Sequence, residues 1–302
     1  MTTPITYRSG TTEDSLTVFK IFEQSVTELG QRLGVQAISG GDDPDVVAQL
    51  WERRRPLFEH LARTADQFWL AEKDGQAIGY ARSIVRADLQ ELTELFVLPG
   101  EQSAGVGREL LRRAFPQNGA SQRAIIATVD TRAVVRYLKT GVYPRFACSY
   151  FSRPAQSVSI PTDLSFQPIS AVPETLAQLR AIDLALLGHR REEEHTWLLG
   201  NRQGYLYYRQ GRPVGYGYLG YSNGPFALLH ESDFPAVLAH AEQQAATRQG
   251  EFGLEVPLIN RAAVDYLLTQ GFHLDGFITL FMCDRPFGKF ENYIFPSPPF
   301  FI

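Results

Sequence analysis

The residues whose types and spacing could do chemistry lie in one run, Gln102-Ser103-Ala104-Gly105-Val106-Gly107-Arg108. Two glycines two positions apart allow a sharp backbone turn that leaves several N–H groups unpaired and aimed one way. Placed at the start of a helix, such a turn is a site for a phosphate or pyrophosphate. The flanking sequence supplies that setting. Leu92, Leu95, Phe96, Val97 and Leu98 read as a strand, and Pro99 with Gly100 stops it. Val106, Leu110, Leu111 and Ala114 then recur at helical spacing. The order is strand, glycine-bearing turn, helix.

The elements that must hold this unit are legible on both sides of it. Residues 5–8 read as a strand, and 14–33 as a helix with Leu16, Phe19, Val26 and Leu29 along one side, where Glu23 also falls. A glycine-rich loop over 34–44 precedes a second helix over 44–63. Residues 67–72 and 76–86 form a hairpin about Lys73-Asp74-Gly75, an Asp-Gly turn of the kind hairpins favour. After the central unit come a strand over 123–129, a helix over 131–140 and strand material over 142–151. Residues 152–165, with Pro154, Pro161, Ser157 and Ser159, read as a linker. This predicts domains of 1–153 and 154–302.

Beyond the linker the pattern starts again, with a strand over 164–169, helices over 172–187 and 192–199, and a hairpin about Gln210-Gly211. Leu70, Gly75, Gly79 and Tyr80 recur at an offset of 136 as Leu206, Gly211, Gly215 and Tyr216. Ala133, Val134, Leu138 and Gly141 recur at an offset of 130 as Ala263, Val264, Leu268 and Gly271. The two halves therefore repeat one fold. The six residues lost between the two windows fall where the first half has its glycine turn. The counterpart there, Leu228-Leu229-His230-Glu231-Ser232-Asp233, has no glycine and carries acidic side chains, so the second half keeps the scaffold without the phosphate site.

Composition narrows the classes. The 302 residues are 44% hydrophobic and 21% charged, as in an ordinary globular chain. A net charge of -4 counts against nucleic acid as partner and suits an amine. Cys148 and Cys283 are too few for a disulfide framework or a metal knot. No apolar run reaches membrane length, and the start lacks a basic-then-apolar signal, so the cytoplasm is the expected location.

The spacing Val97-x-Pro99-x-x-Gln102-x-x-Gly105-x-Gly107-x-x-Leu110 resembles the cofactor motif of the GNAT N-acetyltransferase superfamily, Gln/Arg-x-x-Gly-x-Gly/Ala. Asp130, Ala133, Tyr137 and Gly141 resemble that family's next helix, Asn-x-x-Ala-x-x-x-Tyr-x-x-x-Gly-Phe, with Asp130 replacing the Asn and Val142 the Phe. The second half keeps Asn260, Ala263, Gly271 and Phe272 but has Leu267 at the tyrosine position.

What this resemblance implies is an α/β chain of two tandem GNAT folds, each a mixed, mostly antiparallel sheet flanked by helices, with a degenerate second copy. It implies an enzyme that moves an acetyl or other acyl group from acetyl-CoA to a primary amine of a small molecule or peptide, with no metal. The backbone of Gln102, Ser103, Ala104, Gly105, Val106, Gly107 and Arg108 would cradle the CoA pyrophosphate, and Asp130 would join the cofactor contacts. The main chain of Phe96 and Val97 would pair with the pantetheine arm and polarise the thioester carbonyl. Tyr137 would protonate the departing thiolate. Glu91 or Glu94 would take the amine proton, with a water chain or the carboxylate of Ile302 as alternatives; strand alternation puts the two glutamates on opposite faces, and Glu91 better matches where members of that family carry a glutamate base. The alternative is an acyl-CoA-binding sensor or interaction protein that performs no turnover.

Other features read more plainly. His189-Arg190-Arg191-Glu192-Glu193-Glu194-His195 has the wrong spacing for a metal pair and reads as a solvated charged helix. Arg53, Arg54 and Arg55 read as a solvated face. Phe290, Tyr293, Phe295, Phe300 and Phe301 would be a liability in water, so residues 287–302 are expected to pack across the other half or in a homodimer.

Overall fold

The computed structural model describes residues 4–35, 39–41, 43–102, 105–117, 119–248 and 250–302. It divides into one unit of Met1–Tyr143 with Met282–Arg285 and another of Pro144–Phe281 with Pro286–Ile302.

In the first unit β1 (Thr6–Ser9) leads to α1 (Ser15–Leu33) and α2 (Pro44–Thr64). α1 buries Val18, Phe19, Ile21, Phe22, Val26 and Leu29, whereas Leu16, expected on this stripe, is largely exposed. α2 starts where its sequence says it should: Asp43 accepts from the amides of Asp45 (2.9 Å) and Val46 (3.3 Å), and Pro44 occupies the first turn. β2 (Gln67–Lys73) and β3 (Gln76–Arg86) form the expected hairpin, with positive φ at Asp74 and Gly75. β4 (Leu89–Val97), α3 (Val106–Ala114), β5 (Gln122–Thr128) and α4 (Thr131–Lys139) complete the series. The strands lie in the order β1-β2-β3-β4-β5, antiparallel except for the parallel pair β4–β5. Asp284 joins this unit beside β5, exchanging bonds with the Arg123 backbone at 3.0 and 3.2 Å.

The second unit takes up β6 (Tyr143–Pro154) from Pro144 on, then β7 (Ser165–Pro168), α5 (Pro173–Leu186) and α6 (Glu192–Asn201). β8 (Gln203–Arg209), β9 (Arg212–Leu219), β10 (Phe226–Leu228), α7 (Phe234–Ala246), β11 (Glu251–Pro257) and α8 (Arg261–Thr269) follow. β12 (His273–Leu274), β13 (Thr279–Cys283, of which Met282 and Cys283 count with the first unit) and β14 (Tyr293–Ile294) end the series. One antiparallel sheet runs β14-β10-β9-β8-β7, while β6 pairs with β11 and β12. That pairing holds β6 in the second unit, so the division falls ahead of the 152–165 run.

The repeat seen in the sequence is also a repeat of detail. The first hairpin slips register at Ala71/Glu72 and the second at Tyr207/Tyr208. A Cβ on Gly79 would meet the Phe96 carbonyl at 2.9 Å, and one on Gly215 the Ala227 carbonyl at 2.7 Å. Both glycines exist to let the next strand approach. Asp130 caps α4 and Asn260 caps α8 through side-chain oxygens.

Residues 286–302 add β14 to the second unit's own sheet, where Phe290, Tyr293, Ile294, Phe295, Phe300 and Phe301 are buried. The apolar tail thus supplies core material to its own unit. The 189–195 run is interior on one side, with His189, Arg191, Glu194 and His195 buried while Arg190 and Glu193 are exposed. It can be interior because its charges are paired: His195 Nε2 meets Asp183 at 2.7 Å, and the Arg191 guanidinium meets Asp183 (3.5 Å) and the hydroxyls of Tyr216 (2.6 Å) and Tyr293 (2.8 Å). No helix of the described residues is long and apolar enough to cross a membrane.

Candidate functional site

β4 is the strand that positions the site, and its pairing is uneven. It runs beside β5 only from Leu89↔Gln122 to Leu92↔Ile125. Past Leu92 the two strands part, and Leu95, Phe96 and Val97 are only half-buried. On the other side β4 pairs with β3 to its end, Val97↔Gly79, but Arg82 faces Glu94 while Ser83 faces Leu92. Thr93 is therefore an extra residue, a β-bulge, with its hydroxyl on the Arg82 carbonyl at 3.1 Å.

The bulge overturns the face assignment made from alternation. Directly opposed residues share a face. Glu91 opposes Ile84 and Glu94 opposes Arg82, and these β3 residues are two apart. Glu91 and Glu94 thus lie on the same face of the sheet. Glu94 is tied down there: both its side chain and that of Arg82 are wholly buried and ion-paired. The Tyr80 hydroxyl donates to Glu94 at 2.7 Å, and Arg82 also donates to the Phe58 carbonyl at 2.9 Å. Burial, with Glu94 beside it, raises the Tyr80 hydroxyl far above its ordinary value. Glu91 is 3% exposed.

The turn closes the open end of β4. The Val97 carbonyl accepts from Gln102 Nε2 (3.1 Å) and the Ser25 hydroxyl (3.4 Å), fastening turn and α1 to the strand end. Ser103 and Ala104 lie outside the described residues. Gly105 is the N-cap of α3 with φ 85°, a left-handed conformation that a side chain resists. Its carbonyl accepts the Arg108 and Glu109 amides, both at 3.1 Å, leaving Val106 and Gly107 at the helix start. Their N–H groups have no acceptor inside the helix.

Two guanidinium groups bracket this helix start. Arg108 Nη2 lies 3.8 Å from where a Cβ on Gly105 would be, and Arg136 Cζ lies 3.9 Å from where one on Gly107 would be. Cationic side chains beside unpaired N–H groups suit a diphosphate. Arg136 was not anticipated from the sequence; its only signal was adjacency to Tyr137 on a helix already singled out.

α4 carries the remaining residues. Tyr137 is 6% exposed, and among the described residues its hydroxyl has no hydrogen-bond partner. Burial raises its pKa, with Arg136 pulling the other way. Asp130, expected among the cofactor contacts, is held by bonds within the unit. It caps α4 through the Arg132 amide (2.9 Å) and pairs with the side chains of Arg132 (2.9 Å) and Arg32 of α1 (2.9 Å). Burial pushes its carboxyl up, but these bonds outweigh it and hold the pKa at about 2.

α1 therefore touches both arms of the split, β4 through Ser25 and the α4 cap through Arg32. A cavity of about 430 Å³ is lined by Thr27, Gly30 and Gln31 of α1 and by Gly34, Ser39 and Gly41 after it. Its loop is anchored by Glu23, which accepts from the Gly40 amide and from Arg54, both at 2.7 Å. Arg54 is accordingly mostly buried and not part of a solvated face. Burial raises the Glu23 carboxyl above its ordinary value despite Arg54. Among the described residues no group of three or more His, Cys, Asp or Glu is arranged to hold a metal.

Residues 64–142, the stretch holding this site, match the sequence family described as acetyltransferase (GNAT) domain. No curated protein sequence matches the chain. Among solved structures, a Pyrococcus horikoshii protein assigned as an acetyltransferase superposes with a TM-score of 0.73 at 14% identity, over 96% of this chain and 92% of that one. A tandem GNAT protein from the clavulanic acid biosynthesis pathway gives 0.58 at 13% identity, over 94% and 99%. A GCN5-related N-acetyltransferase from Sphaerobacter thermophilus gives 0.57 at 14% identity, over 94% and 98%. At such identities the likeness is one of fold, and that fold is the tandem GNAT fold.

Proposed function

We propose that this tandem GNAT-fold chain is an acyl-CoA-dependent N-acyltransferase whose first unit binds the acyl donor and whose second unit is a degenerate copy without that role. The observation that carries the reading is the split strand. β4 leaves β5 after Leu92, and the left-handed Gly105 turn stands at the open end with Val106 and Gly107 at a helix start. The residues fit the donor's two parts. Gly105, Val106, Gly107, Arg108 and Arg136 match a diphosphate, and the β4 main chain beyond the bulge, at Phe96 and Val97, matches the amide-bearing arm. Gln102 holds the turn against Val97, and Asp130 holds α4 and α1 together. When bound, acetyl-CoA supplies the thioester carbon that the amine attacks.

The chain's own groups then have two proton tasks. As the amine nitrogen bonds to that carbon and the carbon–sulfur bond breaks, the nitrogen loses a proton and the sulfur gains one. Tyr137 is the donor: burial keeps its hydroxyl protonated at and above neutral pH. Glu91, on the same face of the sheet as Glu94, is the base, and Glu94 is held by Arg82 and Tyr80. The amine acceptor enters through the cavity bounded by Thr27, Gly30, Ser39 and Gly41. Free thiol release from acetyl-CoA across a panel of primary amines tests the reading, using the chain and its Tyr137→Phe variant. Turnover that falls about 100-fold or more in the variant, with acetyl-CoA affinity within about twofold, is expected for an acid catalyst. Unchanged turnover would remove Tyr137 from the chemistry, and no turnover by the parent chain on any amine would favour a sensor.

A further inference from the structure

The second unit keeps the strand arrangement of the first but does not leave its cleft open. Registers align the two. Gly79 opposes Val97 and Tyr80 opposes Phe96, while Gly215 opposes Leu228 and Tyr216 opposes Ala227. Ala227 and Leu228 of β10 are therefore the counterparts of Phe96 and Val97. Likewise β11 is the counterpart of β5, and Asn260 that of Asp130. In the first unit β4 and β5 are neighbours that diverge. In the second, β10 pairs on its outer side with β14, Phe226↔Ile294 and Ala227↔Tyr293. The next residue, Phe295, bridges to Glu255 of β11, its amide donating to the Glu255 carbonyl at 3.0 Å. A peptide strand from residues 293–295 thus lies between β10 and β11.

Its contacts fall on the positions that matter in the first unit. Asn260 Nδ2, at the cap corresponding to Asp130, donates to the Tyr293 carbonyl at 3.1 Å. Asn292 Nδ2 donates to the carbonyl of Leu228 at 2.7 Å, as Gln102 does to Val97 in the first unit. The Tyr293 hydroxyl accepts from Arg191 at 2.8 Å, so the buried Asp183–His195–Arg191 cluster pins the strand. Farther on, the Ser297 amide donates to the Asn223 carbonyl at 3.0 Å and its carbonyl accepts from Arg202 at 3.0 Å.

We infer that residues 292–297 are a built-in occupant of the second unit's strand cleft, taking the main-chain hydrogen bonds that the proposed function gives to the acyl donor in the first. A bound strand with its own ordered hydrogen bonds and buried aromatic side chains excludes a mobile ligand from the same groups. The chain consequently takes one acyl-CoA, not two. The inference rests on the proposed function for what fills the first cleft, but not for what fills the second.

Two measurements on the full chain test it. Per-residue amide exchange is expected to show the Phe295 amide as slow as the β10 amides, with or without acetyl-CoA. Asn260→Ala with Asn292→Ala, which removes two bonds to the strand, should speed Phe295 exchange by on the order of tenfold or more. Calorimetric titration is expected to give one acetyl-CoA per chain and none in Gly105→Glu. Rapid Phe295 exchange in the parent chain, loss of its protection on adding acetyl-CoA, a stoichiometry of two, or binding by Gly105→Glu with the parent's affinity for a second site would each overturn the inference. If the parent chain binds no acetyl-CoA, the proposed function fails, while slow Phe295 exchange still supports the occupied cleft.

Discussion

Glu94 and Arg82 show how a residue's meaning changes between sequence and structure. In the sequence Glu94 is one of two carboxylates on a strand next to a phosphate turn. In the fold it faces a buried guanidinium, with the Tyr80 hydroxyl and the Phe58 carbonyl completing the group. Removing one charge of such a pair strands the other in an apolar interior. Glu94→Gln is therefore expected to cost about 3–5 kcal/mol of first-unit stability by urea denaturation, whereas Glu91→Gln should lower turnover and move the midpoint less. Equal midpoints for the two variants would contradict the separation of roles. Strand alternation could not have found this, because Thr93 breaks the period of two and a bulge leaves no reliable sequence mark. The glycine turn was legible at residue level for the opposite reason: Gly105 sits where the backbone itself excludes other residues.

At the scale of elements, the hairpins, the helix starts at Pro44 and Thr131 and the strand–turn–helix order were all legible, since each depends on local chemistry. The stripe on α1 was legible only in part, and the burial of Glu194 and His195 on α6 not at all. A run with Glu192, Glu193 and Glu194 looks solvated unless one knows that Asp183 and two tyrosines wait for Arg191 and His195. α2 carries a pH dependence of its own. His60 is 4% exposed, and burial together with Arg86 and Arg63 lowers its pKa from 6.5 to about 4. The unfolded chain then binds a proton that the folded chain refuses between those values. Stability from this group is full above pH 6.5 and falls at about 1.4 kcal/mol per pH unit toward pH 4. His60→Gln should flatten that slope in thermal melts between pH 7 and 4; an unchanged slope would show that His60 is not its source.

At the scale of the molecule, the chain is a duplication whose copies have diverged at one place. The hairpin with its register slip, the glycine under the next strand and the side-chain cap survive in both units. These features hold the scaffold. The glycine turn and the tyrosine are present only in the first, where Gly105 and Tyr137 have the counterparts of a glycine-free run and Leu267. In the second unit, Asp233 before α7 is instead paired with Arg209 at 2.8 Å, and a strand from the same unit fills the cleft. The duplication was legible from a handful of matched residues. The filling of the second cleft was not, because it depends on a pairing between residues 226–228 and 293–294 that no local pattern announces. The account as a whole stands on the first unit's turn as the donor site. Calorimetric titration of acetyl-CoA into the full chain and into Gly105→Glu is its most direct test. Saturable binding by the parent and its loss in the variant, whose folded midpoint is checked alongside, is the predicted result; no binding by the parent, or equal binding by a folded Gly105→Glu chain, would contradict it.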